Sequence, residues 1–169
     1  DVANAIMDIT AKSAFLNAGD EGLVEGAKNG TVCAGISGVW LASALEEAWG
    51  ENLAATKLPT YTYSGGQVQM GSFAGYKLLG VNEYSQNQDW AHKLAEWLTN
   101  EENQIKRFEE RGLGPSNNNA AASEEVQASV ALQGLMAQAP YADLQNLGAN
   151  YWDPVSEFGL MMASRDLGG

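Results

Sequence analysis

Residues 29–40, NGTVCAGISGVW, carry the side chains best suited to chemistry on a flat, uncharged, hydroxyl-rich ligand. Trp40 offers an indole face that stacks on apolar ring surface. Ser37 and backbone N–H groups near Gly35 and Gly38 can exchange hydrogen bonds with hydroxyls. Further candidates stand at breaks in regular structure: Tyr76 after Gly75, and Asn150, Tyr151 and Trp152 ahead of Pro154. Aromatics with amides and hydroxyls beside them (Ser37, Asn150, Gln138) suit a sugar, whose C–H faces stack while its O–H groups hydrogen-bond. The competing reading makes each ring ordinary packing beneath a turn.

Catalytic chemistry finds fewer residues. His92 is the single histidine, so a histidine metal cluster is excluded and a Ser-His-Asp relay would rest on it alone. It takes a polar position on an amphipathic helix, where solvation explains it. Cys33, the single cysteine, reads as a small buried hydrophobe. Gly71, Gly75 and Gly80 lack the spacing and the Lys-Ser/Thr ending of a phosphate loop. Two carboxylates suffice for a glycosidase, yet Glu101–Glu102 and Glu109–Glu110 lie on charged helix faces that solvation explains. The expectation is a binding protein with no catalytic residue, metal or cofactor.

Composition narrows the partners. A chain of 169 residues with 45% hydrophobic content supports one core, in one or two domains. Its formal charge of −12 argues against nucleic acid, because no Lys/Arg cluster is present to displace counterions from phosphates. The same charge disfavours an anionic membrane surface. One cysteine closes no internal disulfide. No apolar run reaches the length of a membrane span, and no signal-peptide pattern is present. The start at Asp1 suggests a processed product or a piece cut from something longer, and the piece is the favoured expectation.

The elements that must position the candidates are mostly helices. Helical spacing covers residues 1–15 and a short helix 23–28, and the Asn29-Gly30 pair then predicts a turn into a strand at 31–33. A helix after Trp40 stops at Gly50, and 56–59 reads as an edge strand closed by Pro59. Residues 60–71 read as a loop or hairpin, and 72–81 as a strand. Asp89 is placed to cap the next helix, in which Trp90, Leu94, Trp97 and Leu98 form one apolar, core-facing stripe. Thr99 with Glu102 suggests a capping box for the following helix, ended by Gly112. A flexible polar segment then leads to a helix over 124–138, an irregular aromatic stretch 146–154, and a last helix from about Val155 to the chain end.

In this order the blocks NGTVCAGISGVW, TKLPT, SFAGYKLLGVN, WAHKLAEWLTNEENQIKRF, RGLGPSN and the YW before the last helix resemble a known family. The chain is similar to the C-terminal portion of an extracellular solute-binding protein of an ABC sugar importer, of the maltose/maltodextrin-binding type. The resemblance runs from Asn29 onward. It implies a helix-dominated α/β chain, part of a two-lobe type II periplasmic-binding-protein fold with few short strands. Residues 1–79 and 114–169 would belong to the C-terminal lobe, and 80–113 would be a helix pair that sits in the other lobe. It also implies binding of maltose or maltooligosaccharides for import, with ABC permease subunits as partners. The location would be extracellular, either lipid-anchored at a Gram-positive surface or periplasmic. By motif position Trp40 and Trp152 match stacking tryptophans, Tyr76 is a weaker match on the crossing strand, and Tyr151, Asn150 and Ser37 are cleft neighbours. Where close relatives carry an arginine, this chain has Ser156. Without its host sheet, the 80–113 pair would expose an apolar face and favour self-association. Two alternatives remain: a carbohydrate-active hydrolase using paired carboxylates, and a non-catalytic helical interaction module with the aromatics in its core.

Overall fold

The computed structural model describes residues 2–165, and helices dominate them. α1 (Val2–Thr10) leads to α2 (Asp20–Asn29), and a 3₁₀ turn at Val39–Leu41 opens α3 (Ala42–Trp49). β1 (Thr60–Tyr63) and β2 (Gly66–Gln69) form an antiparallel hairpin with Tyr61 opposite Val68. β3 (Ser72–Ala74) follows, then α4 (Gln88–Thr99), α5 (Glu101–Arg111), α6 (Asn118–Ala121), α7 (Glu124–Ala128) and α8 (Val130–Gln138). β4 (Ala142–Leu144) returns parallel to β3, setting Phe73 opposite Asp143, and α9 (Trp152–Ser164) packs against α1.

Several boundaries move from their expected places, each for a local reason. The Asn-Gly pair opens no strand. Asn29 ends α2, Gly30 takes φ 75 as its left-handed cap, and the Asn29 amide oxygen accepts from the Thr31 N–H at 3.0 Å and hydroxyl at 2.6 Å. The Thr31 and Val32 N–H groups also donate to the Gly26 carbonyl, at 2.9 and 3.1 Å, so backbone donors that a strand ladder would use are engaged by the end of α2. Residues 31–33 therefore run irregularly, and Cys33 is exposed, not the buried strand residue expected. Residues 56–59 also lack a strand, since the Leu58 N–H is taken by the Gln138 side chain at 3.0 Å. The strand expected over 72–81 ends at Ala74, the last residue with a partner on β4.

Capping residues shift in the same way. Asn100, not Thr99, caps α5 by accepting from the Asn103 N–H at 2.9 Å. Asn87 holds the N-cap position of α4, so Asp89 falls in the first turn, where its charge still complements the helix dipole. The helix expected over 124–138 divides at Ser129, whose hydroxyl caps α8. The polar segment before it is anchored by Asn117, which caps α6 over a fully buried Ala120. α9 begins at Trp152 instead of Val155, because Pro154 in a first turn forfeits no helical hydrogen bond. Asp1 and residues 166–169, included in the expected terminal helices, lie outside the described residues.

Among the described residues the buried apolar set is small: Leu23, Ala27, Ala120, Val126, Leu132 and Met162. The accessible surface is 12574 Å² for 18.0 kDa. A compact chain of this mass exposes about 8,000 Å². Apolar faces therefore remain bare. Trp90 is 72% exposed and Trp97 56% exposed, against their expected core role. The helical period groups them on one face of α4 with Leu94, but no element among the described residues covers that face.

Polar side chains do part of the joining instead. Buried Gln138 accepts from Leu58 N–H and donates to the Met70 carbonyl at 3.1 Å and the Ser72 hydroxyl at 3.3 Å, fastening α8 to both ends of the hairpin. Buried Gln104 does the same between α5 and the segment before α6, accepting from Ser116 N–H at 2.7 Å and Asn117 N–H at 2.9 Å. Gly134 lets α8 approach the chain at Ala55, where a Cβ would come within 2.9 Å of the alanine methyl.

Candidate functional site

The candidate residues fall into two groups with different supports. The first surrounds Trp40 on the 3₁₀ turn that opens α3. The residue is 69% exposed, which removes the core-anchor reading. The indole N–H donates to Asp20 Oδ2 at 2.6 Å, and the Ser37 hydroxyl donates to Asp20 Oδ1 at 2.9 Å. The six-membered edge of the ring lies over Gly38, where a Cβ would come 2.0 Å from the indole Cζ3. Any larger residue at 38 would claim the space that the indole fills. Ser37 and Trp40 are thus brought together, through a carboxylate and over a glycine.

The second group is aromatic. Trp152, the first residue of α9, meets Phe73 of β3 at 6.0 Å between centroids with the rings 80° apart. Tyr151 meets Trp152 at 5.3 Å and 81°, and Phe73 at 6.1 Å and 79°. Edge-to-face pairs of this kind contribute about 1 kcal/mol each beyond burial. The pairing β3–β4 carries Phe73 to this position, while the 3₁₀ turn Ala149–Tyr151 delivers Tyr151 to α9. Trp152 remains 45% exposed, and Asn150 is exposed beside it.

Tyr76 stands apart. It follows β3 in an irregular stretch, is 70% exposed, and joins no ring pair among the described residues. Gln138, expected to offer its amide to a ligand, is buried and occupied by backbone and Ser72, so it serves the fold. His92 is exposed on α4, as expected. Among the described residues no group of three or more His, Cys, Asp and Glu side chains is placed to hold a metal. No helix among them is long and apolar enough to cross a membrane.

Asp20 and Phe73 escaped the sequence reading. An acidic residue in a helix's first turn carries its own dipole-based explanation, and Phe73 was absorbed by the strand pattern. Nothing in local spacing links either to its tryptophan. Beside Asp20 lies an open groove of about 560 Å³ between α2 and Leu41, lined by Asp20, Glu21, Val24, Glu25, Lys28 and Asn29. None of the expected site residues lines it, so the exposed indoles and not this hollow define the candidate surface.

A family model for bacterial extracellular solute-binding proteins matches residues 1–134. The chain is 33% identical over 114 residues to the galactooligosaccharide-binding protein of Bacillus subtilis (strain 168), a match covering 68% of this chain and 26% of the relative. A solved structure of a protein with acarbose superimposes with a TM-score of 0.81 at 34% identity, covering 94% of this chain and 43% of the other. The maltodextrin-binding protein MalE1 from L. casei BL23, without ligand, gives a TM-score of 0.70 at 24% identity over 86% of this chain and 41% of its own, a likeness of fold. The chain thus spans 26% of the curated relative and less than half of each solved chain.

Proposed function

Because the chain belongs to the bacterial extracellular solute-binding proteins, we propose that it forms part of the substrate-binding component of an ABC importer for maltose or maltooligosaccharides. The observation that carries this reading is the pair of solvent-facing indoles, Trp40 and Trp152, each held by its own partner at the start of a helix. In this reading the two rings stack on sugar C–H faces. Tyr76 and Tyr151 add apolar surface, while Ser37 accepts from sugar hydroxyls and Asn150 exchanges hydrogen bonds with them. The protein holds its ligand without turnover and delivers it to permease subunits, from a lipid-anchored or periplasmic position outside the cell. The names of the relatives support an oligosaccharide, including one matched at 33% identity.

The same reading divides the chain into lobe-like parts 1–79 and 114–169 and a helix pair 80–113 that belongs to the opposite lobe. The bare Trp90–Leu94–Trp97 face of α4 supports that division. It also supports self-association when this chain is prepared alone. Light scattering at high concentration is expected to give a mass above 18.0 kDa, and a clean monomer would overturn this point.

Titration of the full-length protein with maltotriose tests the function. Saturable binding without release of glucose is the expected result. Tight binding of a peptide or an amino acid, with none of maltotriose, would contradict it.

A further inference from the structure

Asp20 is the residue whose geometry exceeds its obvious role. A carboxylate in the first turn of α2 answers the helix dipole from open water, with no need of another partner. Here each oxygen has one. Oδ2 accepts the Trp40 indole N–H at 2.6 Å and Oδ1 accepts the Ser37 hydroxyl at 2.9 Å, so one side chain ties the start of α2 to the loop and to the 3₁₀ turn. We propose that Asp20 is a positioning residue that fixes the plane of the Trp40 indole for stacking, with Ser37 holding the carboxylate in turn. The inference rests on the sugar-binding reading above.

The physical need is clear from the exposure of Trp40. The residue is 69% exposed and its ring joins no ring pair among the described residues, whereas Trp152 leans on Phe73 and Tyr151. A bare indole turning about two torsions loses that freedom when a ligand stacks on it, and the loss is subtracted from affinity. A charge-assisted hydrogen bond removes the freedom beforehand. Gly38, under one edge of the ring, leaves room for the resulting pose. Two consequences follow for recognition. The indole N–H is already used, so Trp40 meets a ligand with its face and selects for an apolar ring surface over a particular hydroxyl. Ser37 likewise gives its proton to Asp20 and faces a ligand as an acceptor only.

The test joins a spectroscopic readout with affinity, both in the full-length protein. The indole ¹⁵N–¹H resonance of Trp40 is recorded without sugar in wild type, Asp20→Ala and Asp20→Asn. In Asp20→Ala the resonance is expected to shift and its exchange with water to quicken, and maltotriose affinity to fall about fivefold. Asp20→Asn, which keeps an acceptor, is expected to recover part of both. In a Trp40→Phe background, which has no indole N–H, Asp20→Ala is expected to change affinity no further. An unmoved resonance in Asp20→Ala, or an equal affinity loss in the Trp40→Phe background, would overturn the role of Asp20 while leaving the sugar reading intact. A wild-type protein that binds no maltotriose would instead overturn the sugar reading, and the indole resonance would still report whether Asp20 holds the ring.

Discussion

Replacing both tryptophans, Trp40→Ala with Trp152→Ala, is expected to weaken maltooligosaccharide affinity in the full-length protein by about 100-fold, roughly tenfold for each ring. The magnitude follows from what each ring contributes. Both face solvent in the free chain, at 69% and 45% exposure, so each has apolar surface left to bury against a sugar. Both are fixed before ligand arrives, Trp40 by Asp20 and Trp152 by Phe73 and Tyr151, so little of the gain is returned as lost motion. The two losses should add, because the supports share no residue. Calorimetric titration of the single and double variants measures this. Wild-type affinity in either single variant would remove that ring from the site.

Gln138→Leu is expected to lower stability by about 3 kcal/mol with sugar contacts untouched. The substitution keeps the volume nearly constant, so the cost is polar. Leu58 N–H and the Met70 carbonyl, both part-buried, lose their partner together with the Ser72 hydroxyl. In a chain whose buried apolar set is this small, such staples carry an unusual share of the fold. Urea unfolding should show the midpoint falling with the slope unchanged. An unaltered midpoint would mean that water serves these groups equally well.

The chain announced its helices and its family more readily than its strands and contacts. The apolar stripe of α4 was legible because a 3.6-residue period is a local property. A period says which face is apolar and nothing of what lies against it, so the exposure of Trp90 and Trp97 runs against the core role read from the stripe and with the bare 80–113 face that the resemblance implied. Asn29-Gly30 reads by residue type as a turn into a strand, yet the last turn of α2 needed a left-handed residue more than a strand did. The polar, Gly-containing run 60–71 left a loop and a hairpin equally open, and the hairpin formed, whereas the pairing of β3 with β4 joins segments some 70 residues apart, beyond any local signal. In the site, exposed aromatics at breaks were visible as residue types. Asp20 was not, because it meets Trp40 only once the chain has folded back over the loop between them.

A crystal structure of the full-length protein with maltotriose tests the central claim most directly. The expected result is one sugar chain with separate rings lying face-on to Trp40 and Trp152, each at about 4 Å. A sugar held elsewhere, or indoles pointing to opposite sides of the molecule with the ligand touching neither, would contradict it.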